Sequence, residues 1–399
     1  MSRLSNRIES LAESATIAMA AKAREFKQRG IDVISLSLGE PDFKTPKHIQ
    51  EGAKQAIDGG NYFAYPPVNG YLDLRQAISE KFQKENQLTY GPNQIVVSNG
   101  AKQSIANVMF ALLNPGDEVV VFSPFWVSYT AMIQLAEGVP VFVEGTIEND
   151  FKATAAQLRE AITPKTKALI FSSPCNPTGS VFTKEELTAI SEVVLEHEEL
   201  YVISDEIYEH INFTGAHCSI GALPGMNDRT ITVNGFAKGF AMTGWRVGYI
   251  GAPEWIAKGA NKMQGQITSA NCGIAQRAAF TALTSDLEPT RKMADAYLKR
   301  RSLVHGLLSE LPGVKTNMPE GAFYFFPDVS AYFGKRFGEQ VINNATDLCM
   351  YILENAHVSL VTGEAFGAPS CVRLSYAASE EQLKEAIRRI GEALSKLTD

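Results

Sequence analysis

Short runs of β-branched and aliphatic residues recur through the middle of the chain. Each run is bounded by turn residues, and segments with helical spacing separate the runs. Continuous apolar runs of this kind are typical of strands that are buried on both faces of a sheet. The predicted strands are 95–100, 118–122, 139–143, 167–173, 201–206, 230–236 and 246–251. Seven strands that alternate with helices indicate an α/β domain with a mostly parallel sheet between helices.

The two ends of the chain show a different pattern. Before the first of these strands, the spacing and the turn residues predict helices and one strand, at 17–29, 46–57 and 72–86 and at 31–39. After the last strand, a long helical region precedes three further strands and a C-terminal helix, at 265–310, 321–328, 357–363, 372–377 and 379–397. This switch to an α+β pattern predicts a second, smaller domain.

Chain length also favours two domains, because 399 residues are more than one core usually supports. We expect an N-terminal segment, 1–45, that packs with the small domain. A large domain over 46–290 and a small C-terminal domain over 291–399 complete the predicted organisation.

Composition narrows the class of protein. Hydrophobic residues make up 45% and charged residues 20% of the chain, which is ordinary for a soluble globular enzyme. The net charge is −7 and no basic run occurs, so a nucleic-acid partner is not expected. No run of 18 apolar residues and no signal-peptide pattern occurs, so we expect no membrane span and a cytoplasmic location.

Cysteine and histidine positions support the same view. The five cysteines are scattered and form no Cys-x-x-Cys pair, which is typical of reduced thiols in a cytosolic protein. The six histidines form no metal-binding spacing, so no metal site is expected.

Lys238 and Arg246 lie in the stretch 231–251, among apolar and small residues. Burial lowers the pKa of a lysine and makes its amine a nucleophile. An arginine keeps its charge and can bind a phosphate with two hydrogen bonds. The pair fits an enzyme that holds pyridoxal phosphate as a Schiff base. The alternative is a lysine at the edge of the core that is paired with a carboxylate.

Three polar residues follow neighbouring predicted strands. Asp205 ends the run 201–206, and a buried carboxylate there is a good partner for a pyridinium N–H. Tyr208 and Asn176 can each bind the phenolic oxygen of the same ring. The alternatives are a helix N-cap for Asp205 and a plain turn for the segment around Asn176.

Further candidates surround these residues. The segment of Gly100, Ala101 and Lys102 joins a strand to a helix, whose first amides can bind an anion, with an ordinary turn between strand and helix as the alternative. Trp126 can stack on a planar ring, although a core position is the alternative. Arg373 lies between Val and Leu in a predicted strand and can bind a carboxylate. A buried ion pair between domains is its alternative.

These motifs, in their order along the chain, resemble those of the fold-type I pyridoxal-phosphate aminotransferases. The similarity is greatest to the bacterial aspartate aminotransferase subgroup I-beta and covers essentially the whole chain. The motifs that carry it are LGEPDF, YPPVNGYLDLR, NGAKQ, PFWVSY, SSPCNPTGS, SDEIYE, NGFAKGFAMTGWRVGY and VRLSYA.

The resemblance implies a role for each candidate. Lys238 forms the Schiff base and moves the proton at Cα, while Asp205 pairs with the pyridinium nitrogen. The other implied contacts are to the phenolic oxygen (Tyr208, Asn176), the ring face (Trp126), the phosphate (Arg246, Gly100, Ala101, Lys102) and the substrate α-carboxylate (Gly39, Arg373). Tyr65 matches a tyrosine that reaches the phosphate of a neighbouring subunit, which implies a homodimer with shared active sites.

The resemblance also bears on the substrate. Lys102, Ser14 and Thr16 match positions that recognise acidic side chains in this subgroup, which favours aspartate with 2-oxoglutarate. Action on prephenate or aromatic amino acids and a carbon–sulfur lyase activity are the alternatives. A regulator that joins this fold to a DNA-binding domain is disfavoured by the acidic balance. Ala237 and Gly235 replace two serines found in many members, so two possible phosphate-binding hydroxyls are absent.

Overall fold

The computed structural model describes residues 4–13 and 15–399. The helices are α1 (Asn6–Glu9), α2 (Ala15–Gln28), α3 (Lys47–Asp58), α4 (Leu72–Lys81), α5 (Ala101–Leu112), α6 (Ser128–Leu135), α7 (Ala155–Ala161), α8 (Lys184–Leu195), α9 (Glu254–Ile267), α10 (Gly273–Thr284), α11 (Glu288–Ser309), α12 (Ala345–Ala356) and α13 (Glu380–Leu394). The strands are β1 (Ile34–Ser35), β2 (Ile95–Ser98), β3 (Glu118–Ser123), β4 (Val139–Glu144), β5 (Thr166–Ser172), β6 (Tyr201–Asp205), β7 (Thr230–Gly235), β8 (Gly248–Gly251), β9 (Tyr324–Phe325), β10 (Arg336–Phe337), β11 (Gln340–Val341), β12 (Val358–Ser359), β13 (Val361–Thr362) and β14 (Val372–Ser375).

Seven strands form one large sheet in the order β2-β8-β7-β6-β5-β3-β4. These are the seven strands that the apolar runs predict, so the α/β class is confirmed. Only β8 runs antiparallel to its neighbours β2 and β7. The residues just before β8 therefore lie at the same edge of the sheet as the carboxyl ends of the other six strands. In such sheets ligands bind at that edge.

Helices cover both faces of this sheet. Side chains alternate along each strand, so Val119 and Val121 of β3 pack with α5, α6 and α9, while Val120 packs with α7 and α8. A third apolar cluster joins α3, α4 and α10 to β2 and β8. Burial of each such side chain contributes about 1.5–3 kcal/mol, which fixes the strand ends where the polar motifs lie.

The rest of the chain forms a second core around Tyr297 and Tyr376 with α11, α12 and α13. It contains a three-stranded sheet in the order β13-β14-β9 and the parallel pair of β1 with β12. The strands here are shorter than the sequence predicts. The predicted strand 357–363 divides in two because β12 pairs with β1, whereas β13 pairs with β14.

The predicted segment boundaries stay a prediction. The N-terminal helix α2 contacts β12 and β13, and β1 pairs with β12. The helix α11 runs from Glu288 to Ser309 and so crosses residue 291. Among the described residues, no helix has the length and apolar character that crossing a membrane requires.

Candidate active site

A cavity of about 590 Å³ opens between the carboxyl edge of the large sheet and the second core. Most of the predicted site residues line it. They are Thr16, Gly39, Ala101, Lys102, Trp126, Asn176, Asp205, Tyr208, Lys238, Arg246 and Arg373. The loops after β2, β3, β5, β6 and β7 supply nearly all of the large-domain members, as expected for strand ends of one sheet.

Lys238 follows β7, and its ammonium group donates a hydrogen bond to the Gly39 carbonyl. The Nζ atom lies 5.5 Å from the centre of the Tyr208 ring. Burial lowers the pKa of Lys238 to about 8, and the charge of Arg373 adds to this effect, while Glu40 and Asp205 partly oppose it. An amine with this pKa is partly unprotonated near neutral pH and can act as a nucleophile.

Asp205 is the last residue of β6 and is 4% exposed. Its Oδ2 accepts a hydrogen bond from the Tyr129 hydroxyl at 2.7 Å, and its Oδ1 accepts one from the Ile207 amide at 3.3 Å. Burial raises its pKa to about 6, although both hydrogen bonds act in the opposite direction. The chain after β6 forms turns at 207–210, so the residue does not cap a helix. A cationic N–H group in the cavity would suit this carboxylate.

Arg373 lies on β14 and is 2% exposed. Its Nη1 donates to Asn176 Oδ1 at 3.0 Å, and its Nη2 donates to the Ser37 carbonyl at 2.7 Å. Both acceptors are neutral, and the buried Nε has no hydrogen-bond partner among the described residues. The alternative of an interdomain ion pair is therefore not what the structure shows. An arginine so placed is suited to an anionic ligand.

Tyr208 contacts the second core at the same place. Its hydroxyl lies 2.7 Å from the hydroxyl of Tyr324, which is on β9. The guanidinium carbon of Arg373 lies 4.7 Å from the centre of the Tyr324 ring. Tyr208 is therefore joined to Arg373 through Tyr324, and Asn176 contacts Arg373 directly.

Arg246 adopts a left-handed backbone conformation, with φ of 56°, just before β8. Its Nη1 donates to the Thr243 carbonyl at 2.9 Å, and its Nη2 donates to the Asn99 carbonyl at 3.3 Å. A Cβ atom at Gly100 would lie 2.5 Å from Nη2, so glycine is needed for this close approach. The guanidinium group thus lies beside the N-terminus of α5, where the amides of Ala101 and Lys102 favour an anion.

Lys102 and Trp126 form the other wall. The Lys102 Nζ lies 5.1 Å from the centre of the Trp126 ring. Burial lowers the pKa of Lys102, and the charge of Arg246 lowers it further. Thr16 lies in the same lining. The predicted substrate residue Ser14 lies outside the described residues.

Tyr65 does not line the cavity of its own chain. It is 96% exposed, in a loop that precedes α4. Gly100 is not in the lining either. It contacts the guanidinium group of Arg246, and Arg246 is part of the lining.

Sequence reasoning misses several residues that line or support the cavity, notably Tyr129, Ser172, Tyr324 and Glu40. Tyr129 and Glu40 lie inside the quoted motifs PFWVSY and LGEPDF. Tyr324 belongs to a short aromatic run whose pattern is also that of ordinary core. Residue type and spacing did not separate these residues from packing positions.

The two positions that lack serine differ. Ala237 lines the cavity, so a hydroxyl there would face a ligand. A Cβ atom at Gly235 would lie 2.9 Å from Gly248 Cα and from the Val247 carbonyl oxygen. Glycine at 235 therefore follows from the close contact of β7 with β8.

The chain is similar to known proteins over almost its full length. The model of the family "Aminotransferase class I and II" matches residues 31–390. A bifunctional aspartate aminotransferase and glutamate/aspartate-prephenate aminotransferase of Petunia hybrida is 46% identical, covering 98% of this chain and 82% of that one. An aspartate/prephenate aminotransferase of Cereibacter sphaeroides is 44% identical, covering 98% of each chain.

Solved structures agree with these similarities. The aspartate aminotransferase of Rhizobium meliloti superposes with a TM-score of 0.96 at 39% identity and full coverage of both chains. The aspartate aminotransferase of Thermus thermophilus with maleate gives a TM-score of 0.92 at 42% identity, covering 98% of this chain and all of that one. The chain therefore belongs to the class I and II aminotransferases, enzymes of fold type I that use pyridoxal 5′-phosphate as cofactor.

Proposed function

We propose that this enzyme transfers the amino group of a dicarboxylic amino acid, with aspartate as the preferred donor, to 2-oxoglutarate in a ping-pong cycle. The observation that carries the proposal is the charge pattern of the cavity. Besides Lys238, three cationic side chains, Lys102, Arg246 and Arg373, face one space without an ion pair to a carboxylate among the described residues. A phosphate and two substrate carboxylates would neutralise all three.

The donor groups of the cavity fit the cofactor. Arg246 and the amides of Gly100, Ala101 and Lys102 would hold its phosphate, and Asp205 would keep its ring nitrogen protonated. Tyr208 and Asn176 would bind its phenolic oxygen, and Trp126 would pack on its ring. When bound, pyridoxal phosphate supplies an aldehyde for amine exchange and a ring that withdraws electrons from Cα.

Lys238 is proposed as the catalytic residue. Its partly unprotonated amine would bind the cofactor in the resting enzyme and, once displaced, would move the proton at the substrate Cα. Arg373 and Gly39 would orient the substrate α-carboxylate, since the guanidinium group retains an unused buried N–H.

Lys102 is the proposed partner of the distal carboxylate, together with Thr16 and Ser14. Its ammonium group lies against the Trp126 ring rather than a carboxylate. Prephenate as an acceptor is the second candidate, because relatives at 44% and 46% identity are named for it as well as for aspartate.

A homodimer with shared active sites is part of the proposal. Tyr65 and Phe63 are 96% and 69% exposed on one loop. Such exposed aromatic side chains are enriched in protein interfaces, and Tyr65 would reach the cofactor phosphate of the neighbouring subunit. A cytoplasmic location is proposed on the five free cysteines.

A panel of amino donors at fixed 2-oxoglutarate tests the substrate. Aspartate should be among the best few donors. Lys102→Met should lower kcat/KM for aspartate by about 10- to 100-fold, because one charge-assisted contact is lost, but should change alanine turnover by less than about threefold. Lys102→Arg, which keeps the charge, should retain most of the aspartate activity. An equal loss of kcat/KM for aspartate and alanine would show that Lys102 does not bind the distal carboxylate. Release of a thiol, pyruvate and ammonia from an S-substituted cysteine, without amine transfer to 2-oxoglutarate, would indicate a carbon–sulfur lyase instead.

A further inference from the structure

The hydroxyl of Tyr129 donates a 2.7 Å hydrogen bond to Asp205 Oδ2 on the side of the carboxylate opposite the Ile207 amide bond to Oδ1. We infer that Tyr129 is a positioning residue that holds Asp205 ionised and aimed at the cofactor ring nitrogen. The inference rests on the proposed role of Asp205. Tyr129 itself does not line the cavity, so it would act only through the carboxylate.

Packing leaves the Tyr129 hydroxyl little freedom. The side chain is fully buried on α6 among the apolar residues between that helix and the sheet. Its ring packs edge-on against Trp126, with 5.5 Å between ring centres. A phenol has one proton to donate, and here it is directed to Asp205. The same residue therefore contacts both the carboxylate and Trp126, which lines the cavity.

The other groups around Asp205 do not duplicate this contact. Among the described residues, the Tyr129 hydroxyl is the only side chain that donates a hydrogen bond to the Asp205 carboxylate. Lys238 attracts the carboxylate through its charge, and Glu206 repels it. Cys175 and Tyr208 are also buried nearby; burial is the main cause that raises the pKa of each, and the negative charge of Asp205 adds a smaller contribution. Burial favours the protonated carboxyl, so the phenol is the main fixed group that opposes protonation.

Asp205 and the ring nitrogen of the cofactor would share one proton. Loss of the Tyr129 hydroxyl should therefore shift that proton from the nitrogen toward Asp205. Tyr129→Phe keeps the ring and its packing, so the change isolates one hydrogen bond. The apparent pKa of Asp205 in the cofactor-free enzyme should rise by about one unit, as expected for a hydrogen bond to a charged group. The affinity of the enzyme for pyridoxal phosphate should fall about tenfold at neutral pH.

The experiment compares Tyr129→Phe, Asp205→Asn and Tyr90→Phe in the full chain. Tyr90 is the matched control, since its buried hydroxyl donates to the Thr230 carbonyl and not to Asp205. The dissociation constant is measured for pyridoxal phosphate and for 1-deazapyridoxal phosphate, whose ring carries carbon in place of nitrogen. The pKa of Asp205 is followed by ¹³C NMR of the cofactor-free protein with labelled aspartate, assigned with Asp205→Asn.

We expect Tyr129→Phe to weaken binding of pyridoxal phosphate about tenfold and binding of the deaza analogue less than twofold. Tyr90→Phe should alter neither. Equal losses for both cofactors, or an unchanged Asp205 pKa, would overturn the inference and leave Tyr129 a packing residue. If Asp205→Asn binds pyridoxal phosphate as the wild type does, the proposed role of Asp205 itself fails. If only Asp205→Asn weakens binding, the failure is confined to Tyr129.

A second variant keeps the test informative if Tyr129→Phe does not fold. Site-specific 3,5-difluorotyrosine at position 129 keeps the hydroxyl and makes it a stronger hydrogen-bond donor. This change should lower the pKa of Asp205, opposite in sign to the effect of phenylalanine. No shift, or a rise, would contradict the inference.

Discussion

Asp205 and Glu206 are adjacent in sequence, yet they belong to two different buried polar regions. Asp205 faces the cavity, where its neighbours leave one side of the carboxylate open. Glu206 lies in a buried charge network, defined here as Lys81, Asn86, Glu206, Glu209 and His217. Its oxygens accept hydrogen bonds from the Ser219 and Ser204 hydroxyls at 2.6 and 3.0 Å, and one lies 2.8 Å from His217 Nε2. Glu206 therefore does not face the cavity, although it stands next to Asp205 at the end of the same strand.

The carboxylates of this network have cationic or hydrogen-bonding partners inside the protein, and we call it the closed region. The Lys81 ammonium group and the Asn86 amide both donate to Glu209. Burial favours the protonated form of Glu209, but the charges of Lys81, His210 and His217 outweigh it and lower the pKa to about 2. Carboxylate and imidazole atoms here lie within 4.8 Å of one another, as in metal sites, but Lys81 already supplies a cation.

The cavity shows the reverse arrangement, in which charged groups lack a full set of partners, and we call it the open region. Asp205 has a pKa raised to about 6, Lys238 one lowered to about 8, and Arg373 keeps a buried N–H without a partner. Both regions are buried and rich in charge, so burial alone does not distinguish the candidate site from a structural network. Charged groups that lack a partner within the protein make this distinction, because a bound ligand can supply the missing partner.

The largest expected effect comes from the open region. Lys238→Ala should lower turnover of aspartate with 2-oxoglutarate by at least about 10⁴-fold, as is usual when a nucleophile is removed. The visible absorption of the lysine-bound cofactor should disappear. The unfolding free energy of the cofactor-free protein in urea should fall by no more than about 1 kcal/mol, because removal of a buried cation beside Arg373 favours folding and offsets the lost packing. Lys262→Ala, on the exposed side of α9, is the control. Retained absorption and turnover would refute the role of Lys238.

The closed region should respond with stability instead of activity. Lys81→Met leaves Glu209 buried without its cation, which should cost about 3–5 kcal/mol of unfolding free energy. The kcat of the folded fraction should stay within about threefold of wild type. Chemical denaturation and active-site titration measure the two quantities. Lys54→Met, which breaks an exposed ion pair with Glu51, should cost less than about 0.5 kcal/mol. A large loss of kcat with unchanged stability would remove the distinction between the regions.

The two carboxylates should give stability profiles of opposite sign in the cofactor-free protein. Glu209 has a lowered pKa, so its contribution is present above pH 4.5 and is lost as the pH falls toward 2. Asp205 has a raised pKa, so it destabilises the fold increasingly as the pH rises from 3.8 to about 6.

At pH 7.5, Asp205→Asn should therefore stabilise the cofactor-free protein by about 1–3 kcal/mol, whereas Glu209→Gln should destabilise it. Urea denaturation between pH 3 and 8 measures both, and the Asp205→Asn gain should shrink below pH 4. If both variants changed stability in the same direction, the contrast of open and closed charge would not hold.

Much of the fold and part of the site follow from local sequence. The β-branched runs give all seven strands of the large sheet, and for the six other than β4 the reason is burial on both faces, which demands apolar residues along the strand. The edge strand β4 has an apolar run as well, although most of its positions are exposed or half-buried. Parallel strands end at one edge, so Asp205, Asn176 and Lys238 could be expected together before their contacts were known. Arg246 reaches the same edge only because β8 is antiparallel, which an apolar run does not reveal.

The contacts that distinguish the open region from the closed region could not be predicted from the sequence. Tyr129 lies 76 positions from Asp205 in sequence, and nothing in PFWVSY indicates which group its hydroxyl meets. Glu206 has the residue type and position of a ligand, but its partners Ser219 and His217 come from a later loop. Pairing of this kind depends on tertiary geometry, which local patterns do not encode.

The smallest expected effect concerns the two positions without serine. Ala237 belongs to the open side, so Ala237→Ser adds a hydrogen-bond donor where a bound phosphate would be close. Cofactor affinity should rise about three- to tenfold, the gain of one hydrogen bond to a charged group. Gly235→Ser adds the same hydroxyl where Gly248 and Val247 leave no room for a Cβ atom. That variant should lose stability without a gain in affinity, and titration of the cofactor-free enzymes with pyridoxal phosphate measures the difference. A gain at position 235 but none at position 237 would mean that the phosphate lies against β7 and not beside Ala237.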